Sequence, residues 1–87
     1  MFRLRKDCSV MTLRGKHLLI RGTGKALEVN GSFARIWDMA SGGPFDAALL
    51  AAKMQEEYEL SAEEALAEAG KMIRLWSDYG LVEAIPE

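Results

Sequence analysis

The sequence predicts an α+β domain in which a three-stranded antiparallel sheet is followed by three helices. Apolar residues alternate with polar ones in the first third of the chain and recur at helical spacing in the rest. The change of period is abrupt. Leu27 and Val29 occupy one face of the last strand, and Phe33, Ile36 and Trp37 then follow at the spacing of a helix.

The three predicted strands are short and are joined by glycine turns. Arg14-Gly15-Lys16 separates the first strand from the second, and Gly22-Thr23-Gly24 separates the second from the third. The strands are predicted at residues 9–13, 17–21 and 25–30. Such short connections favour a meander, in which consecutive strands are neighbours in the sheet.

The first two helices have recognisable start and stop signals. Asn30-Gly31 supplies the bend after the third strand, and Ser32 is predicted to cap a helix that ends at residue 39 or 40. Ser41-Gly42-Gly43 stops this helix. The second helix is predicted to begin at Pro44, with Asp46 at the positive end of its dipole.

The third helix has the clearest limits. Ser61 and Glu64 form a capping-box pattern, Gly80 suits a left-handed residue after the last turn, and Leu81 can fold back as in a Schellman motif. Two apolar rows run along this helix, one of Leu66, Ala69, Ile73 and Trp76, the other of Ala65, Met72, Leu75 and Tyr79. Either both rows are buried, or part of the second row lines an open groove.

Length and composition favour a single domain over residues 1–87, because 87 residues with 49% apolar content support one core. We find no signal-peptide pattern and no apolar stretch long enough to span a membrane, so a cytoplasmic location is expected. Cys8 is the only cysteine, which excludes an internal disulfide and fits a reducing compartment.

Charge is unevenly distributed along the chain. Residues 1–25 contain seven Lys and Arg against Asp7 alone, a net charge of +6. Residues 26–87 contain four Lys and Arg against twelve Asp and Glu, a net charge of −8. An anionic partner is therefore expected to meet the sheet end, unless these charges are merely solvated.

No motif for catalysis, metal or cofactor binding is found. Gly22-Thr23-Gly24-Lys25 resembles a piece of a phosphate loop, but its insert and its Ser or Thr are missing and a strand follows. His17 has no acidic ligand at suitable spacing, and Glu56, Glu57 and Glu59 lack the burial that acid–base pairs need. We predict a protein that is not an enzyme.

The order of elements resembles the PqqD-like family of peptide-recognition domains. The resemblance covers about residues 8–83 and includes Val29-Asn30, Trp37, the segment Met54-Gln55-Glu56-Glu57-Tyr58 and the terminal Gly80-Leu81-Val82. Gly31-Ser32 and Ser41-Gly42-Gly43 depart from the family pattern. These departures leave open which natural-product pathway the protein serves.

The resemblance implies a winged-helix-like adaptor that binds the leader of a ribosomally made precursor peptide and presents it to a modifying enzyme. A radical-SAM maturase is a common partner of similar domains. The leader would add to the third strand, an edge strand, and lie beside the third helix. The predicted peptide-binding residues are Lys25, Ala26, Leu27, Glu28, Val29 and Asn30 from the strand, and Ala65, Ala69, Lys71, Met72 and Trp76 from the helix.

Two other functions fit the same elements. A winged-helix DNA-binding module has this architecture, but Glu63, Glu64 and Glu68 on the third helix would face phosphates unfavourably. A structural dimerisation domain is the other alternative. The sequence does not decide whether the chain acts alone or as a homodimer, or which row of the third helix faces a groove.

Overall fold

The computed structural model of the chain describes residues 1–22 and 24–86 and contains two antiparallel sheets and three helices. The elements are β1 (Phe2–Leu4), β2 (Ser9–Leu13), β3 (Lys16–Ile20), β4 (Ala26–Val29), α1 (Gly31–Ala40), α2 (Ala47–Glu57), α3 (Ala62–Asp78) and β5 (Val82–Ala84). The larger sheet has the order β2-β3-β4, and β1 pairs with β5. The predicted α+β class and the order of three strands before three helices are confirmed.

The small β1–β5 sheet was not predicted. Each of its strands has only three residues, too few for an alternating pattern to stand out from the surrounding chain. Its register pairs Phe2 with Ala84 and Leu4 with Val82, and the Arg3 guanidinium lies 2.7 Å from the Glu83 carboxylate. The two ends of the chain are therefore joined to each other and not to the larger sheet.

Both turns of the larger sheet use backbone conformations with positive φ. Arg14 (φ 53°) and Gly15 (φ 78°) connect β2 to β3, and two positive φ values in a two-residue loop are typical of a type I′ hairpin. Gly24 (φ 84°) precedes β4, and its N–H donates to the Arg21 carbonyl. Thr23, part of the second predicted turn, lies outside the described residues.

Polar side chains define the starts of the first two helices. The Asn30 side chain accepts a hydrogen bond from the Phe33 N–H at 2.7 Å, so Asn30 caps α1. The prediction that Ser32 caps this helix is wrong, because α1 already begins at Gly31. Asp46 caps α2 by accepting from the Leu49 N–H at 2.8 Å, so the helix begins at Ala47 and the predicted start at Pro44 is wrong. An oxygen at either cap satisfies a backbone N–H that has no partner within the helix.

The limits predicted for α3 are confirmed. The Ser61 hydroxyl accepts from the Glu64 N–H, and the Glu64 carboxylate accepts from the Ser61 N–H, which completes the capping box. At the other end Gly80 has φ 69°, the Gly80 N–H donates to Ser77, and the Leu81 N–H donates to Trp76. These two bonds make a Schellman motif.

The core lies between the helices and one face of the larger sheet, and Trp76 is at its centre. This fully buried indole makes edge contacts with Trp37 at 5.4 Å, Phe45 at 6.0 Å and Phe33 at 6.3 Å between ring centroids. Among the described residues its Nε1 has no hydrogen-bond partner. Aromatic packing of this kind joins α1, the segment before α2, and α3.

Candidate functional site

The outer edge of β4 is one of the two unpaired edges of the larger sheet. This strand pairs with β3 on one side, and no strand within residues 1–22 and 24–86 pairs with its other side. The C-terminal segment does not cover this edge, because β5 (Val82–Ala84) pairs with β1. An edge strand exposes N–H and C=O groups that can hydrogen-bond to another extended chain.

The hairpin between β3 and β4 determines which backbone groups point outward. The Arg21 N–H donates to the Lys25 carbonyl at 3.0 Å, which makes these two residues a hydrogen-bonded pair. Along an antiparallel pair of strands, hydrogen-bonded pairs of residues alternate with pairs that are not hydrogen-bonded. The backbone N–H and C=O groups of Leu27 and Val29 therefore bond to β3. The N–H and C=O groups of Ala26 and Glu28 therefore point away from the sheet.

The apolar side chains of β4 lie on the helix side of the sheet. Leu27 is opposite Leu19, and Val29 is opposite His17. Leu19 is buried in the core, whereas Leu27 is 53% exposed. The helices therefore cover the sheet as far as β3 and leave the helix side of β4 partly open.

Two contacts place α3 beside β4. At the start of the strand, Arg21 Nη2 donates to the Tyr79 carbonyl at 2.8 Å. At its end, Phe33, which follows β4, packs edge-on against Trp76. Trp76 and Tyr79, in the C-terminal part of α3, therefore lie near the two ends of β4.

One flank of the C-terminal part of α3 remains accessible. Met72 is half-buried against the core, Leu75 is 38% exposed and Tyr79 is 50% exposed. Their spacing of three and four residues puts them on a single side of the helix. We name the strip formed by Leu27, Val29, Met72, Leu75 and Tyr79 the β4–α3 groove.

Comparison with known proteins agrees with this geometry. The family described as coenzyme PQQ synthesis protein D (PqqD) matches residues 15–82. The chain belongs to the PqqD family. The match begins in the β2–β3 turn and ends at the first residue of β5, so it includes β4 and all of α3. No curated protein matches the chain.

Two solved structures share the fold. One, described as TbiB1 in complex with the TbiA(beta) leader peptide, has a TM-score of 0.76 and 14% identity, covering 98% of this chain and 99% of the other. The second, a lasso peptide synthetase B1 complexed with the leader peptide, has a TM-score of 0.72 and 24% identity, covering 95% and 98%. At these identities the likeness establishes that this PqqD-family chain has the same fold.

The structure separates the predicted site residues into two groups. The backbone of residues 25–30 lies at the open edge, with Lys71 exposed and Met72 half-buried on α3. Ala65, Ala69 and Trp76 are fully buried, so none of them can line an open groove. That part of the predicted helix surface is wrong, because all three side chains pack into the core.

Leu75 and Tyr79 are the groove residues missing from the predicted site. Both belong to the second apolar row seen in the sequence, so the signal that could have identified them was present. Periodicity shows that a helix has an apolar side, but it does not show where the covered part of that side ends. Here the limit is set by the rings around Trp76, which come from distant parts of the chain.

The larger sheet also borders a polar cleft, and Asp7 and Cys8, near β1, have shifted pKa values. A polar cleft of about 500 Å³ between the sheet and α1 contains Thr12 and His17, whose hydroxyl and Nδ1 are 2.9 Å apart.

Near β1, a hydrogen bond from Arg5 lowers the pKa of the exposed Asp7 carboxyl. Burial, aided by the charge of Asp7, raises the pKa of the Cys8 thiol. A raised thiol pKa is the opposite of what a nucleophilic cysteine requires.

Metal binding and membrane insertion have no support in the described part of the chain. Residues 1–22 and 24–86 contain no group of three His, Cys, Asp or Glu side chains suited to a metal ion. Over the same residues, no helix has both the length and the apolar character needed to cross a bilayer.

DNA binding is not favoured by the surface of α3. The first turn of the helix carries Glu63 and Glu64, and both are exposed. Glu68, one turn further along, is also exposed. In a winged-helix protein the recognition helix approaches DNA phosphates, which these carboxylates would repel.

Proposed function

We propose that this chain is a non-catalytic adaptor that binds the leader segment of a ribosomally made precursor peptide and presents it to a modifying enzyme. Membership in the PqqD family supports this role, as do the two solved relatives of the same fold, which are described as leader-peptide complexes. The observation that carries the proposal is the unpaired edge of β4, on which Leu27 is 53% exposed.

The peptide adds to β4 as a further antiparallel strand. Its backbone exchanges hydrogen bonds with the outward N–H and C=O groups of Ala26 and Glu28. Main-chain bonds of this type provide affinity that depends little on sequence, and pockets for alternate side chains provide selectivity. Lys25 and Asn30 mark the two ends of the strip of backbone available to the peptide.

Selectivity comes from the β4–α3 groove. Every second side chain of the added strand points to the helix side of the sheet, where it meets Leu27 and Val29 from β4. Met72, Leu75 and Tyr79 form the opposite wall. The preferred leader therefore has apolar side chains at alternate positions.

Charge favours an acidic leader. Arg21 and Lys25 flank the start of β4, and Lys71 lies on the exposed side of α3, 3.5 Å from Glu68. The first 25 residues carry a net charge of +6. Exposed charges of this kind affect the rate of encounter and the salt dependence more than the final affinity.

The proposal extends to the type of modifying enzyme and to the oligomeric state of the chain. We expect the modifying enzyme to be a radical-SAM maturase, as the family resemblance implies, and both proteins to act in the cytoplasm. Pull-down with purified enzymes encoded near the chain's gene tests the enzyme type. Sedimentation of the chain with and without peptide tests whether it acts as a monomer or a homodimer.

Amide hydrogen exchange tests the binding mode residue by residue. The titrant is the leader of a small precursor peptide encoded near the chain's gene. The amides of Ala26 and Glu28 point outward, so they should become protected on binding, whereas those of Leu27 and Val29 are already bonded to β3. The other edge strand, β2 (Ser9–Leu13), is the internal control. Protection that appears on β2 and not on β4 would show that the proposed site is wrong.

A further inference from the structure

The side of the larger sheet that faces away from the helices is also apolar. Antiparallel pairing places Met11 beside Leu18, and Ile20 beside Ala26, on this side. Met11 is 44% exposed, and Leu13, two residues further along the same strand, is 53% exposed. We name the surface formed by Met11, Leu13, Leu18, Ile20 and Ala26 the outer sheet face.

This surface is separate from the core. Val10 and Val29, on the helix side, pack against the buried cluster that contains Leu19. Leu18 and Ile20 are not among the described residues that pack against that cluster. A soluble domain gains nothing in its own stability by placing this much apolar surface toward water, and contiguous apolar patches usually mark interaction sites.

The charges around the outer sheet face indicate what kind of surface fits it. Arg14 lies in the β2–β3 turn, and Lys16 lies at the Leu13 end of this face. Glu28, opposite Leu18, is on the same side, whereas Arg21 reaches the Tyr79 carbonyl on the helix side. Lys16 is paired with Leu13 and therefore shares its side of the sheet. A partner surface that places Asp and Glu side chains opposite Arg14 and Lys16 would be attracted to this end of the face.

We propose that the outer sheet face binds the peptide-modifying enzyme through an apolar patch of that enzyme rimmed by carboxylates. The proposal rests on the proposed function, and it assigns to the adaptor a second surface distinct from the peptide-binding edge. An added strand beside β4 extends both sides of the sheet. One row of its side chains enters the β4–α3 groove, and the other row continues the outer sheet face next to Ala26 and Glu28.

This arrangement gives a physical mechanism for presentation. An enzyme docked on the outer sheet face would touch the adaptor and the outward side chains of the bound peptide together. The two binding events then strengthen each other, and by thermodynamic linkage each raises the affinity of the other by the same factor.

Surface substitutions with a matched control test the proposal. The probe is the purified peptide-modifying enzyme encoded nearest to the chain's gene, titrated against immobilised adaptor. Met11→Glu and Leu13→Glu should each weaken enzyme binding at least about tenfold, since each places a charge in an apolar contact. Leu49→Glu alters a similarly exposed leucine, 47% exposed on α2, and should change the affinity less than about twofold. Circular dichroism verifies that each variant is folded.

The outcomes separate this proposal from the proposed function. Met11→Glu should bind the leader peptide as tightly as the unaltered chain, because Met11 is on β2 and on the other side of the sheet. Loss of enzyme binding with peptide binding retained supports the second surface. Failure of the unaltered chain to bind the enzyme, or equal loss in Leu49→Glu, overturns it. It is also overturned if the chain sediments as a dimer that Met11→Glu dissociates. Failure of peptide binding alone rejects only the proposed function.

Discussion

Leu19 and Leu27 are directly opposite each other on neighbouring strands and point to the same side of the sheet, yet Leu19 is 2% exposed and Leu27 is 53% exposed. The difference arises because the core covers Leu19 on β3 and reaches Val29 on β4, but leaves Leu27 uncovered. Leu27 is on the helix side of the sheet but is not covered by the core, so its side chain is available to a ligand.

Leu27→Thr is therefore expected to weaken leader-peptide binding about tenfold. Threonine suits a strand but removes much of the apolar surface, a loss of roughly 1 to 1.5 kcal/mol on binding. Leu49→Thr is the control, because Leu49 has similar exposure but lies on α2. Isothermal titration calorimetry measures both. Equal affinities for Leu27→Thr and the unaltered chain would show that the peptide does not use the β4–α3 groove.

Glu28→Pro tests the backbone contribution to peptide binding. Proline removes the N–H that points outward from β4, while the bonds from β4 to β3 are retained. We expect the peptide affinity to fall at least about fivefold, since one hydrogen bond contributes about 1 kcal/mol. Glu28→Ala retains the N–H and is the matched control, and urea unfolding measures any loss of stability. If both variants bind equally, the backbone of Glu28 does not pair with the peptide.

Local signals made the helix limits predictable, while non-local contacts made part of the site unpredictable. Ser61, Glu64 and Gly80 determine the ends of α3 through bonds within a few residues, which sequence alone reveals. Whether Ala69 or Leu75 is buried depends on rings that pack around Trp76 from elsewhere in the chain. Apolar residues have similar spacing on both flanks of α3, so the spacing could not distinguish the residues that face the core from those that line the groove.

The cap of α1 and the terminal strands were missed for related reasons. Asn30 and Ser32 are both good capping residues two positions apart, and propensity does not choose between them. β1 and β5 are held by pairing between the two ends of the chain, such as Phe2 with Ala84. A three-residue strand has no local sequence pattern that identifies a pairing partner at the other end of the chain.

Ala69→Leu should destabilise the fold and thereby confirm that this side of α3 is core. Ala69 is fully buried, and forcing a larger side chain into a packed core costs roughly 1 to 3 kcal/mol. Ala67→Leu is the control, because Ala67 is exposed on the same helix and leucine is nearly as good a helix former. Chemical denaturation gives the free energy of unfolding. Similar stability of the two variants would place Ala69 at an open surface after all.

Arg14→Asn is expected to stabilise the protein by about 0.5 to 1 kcal/mol. Arg14 has φ 53°, a left-handed conformation that is costly for most residues and much less so for asparagine. The substitution also creates Asn-Gly, the preferred sequence of a type I′ hairpin. Arg14→Gln removes the same charge without favouring this conformation, so it should leave stability nearly unchanged. Thermal unfolding distinguishes the two, and equal stability of both variants would contradict a strained Arg14.

Alkylation of Cys8 should show a pH midpoint above that of an ordinary cysteine. Burial, with a contribution from the nearby Asp7 carboxylate, raises the pKa of the thiol, so less of the reactive thiolate is present at neutral pH. The rate of reaction with iodoacetamide, measured from pH 7 upward, gives the midpoint independently of steric protection. Asp7→Asn removes the negative charge that opposes ionisation and should move the midpoint down, though not to the ordinary value, because the burial remains. A midpoint below that of free glutathione would reverse the assignment and make Cys8 an activated thiol.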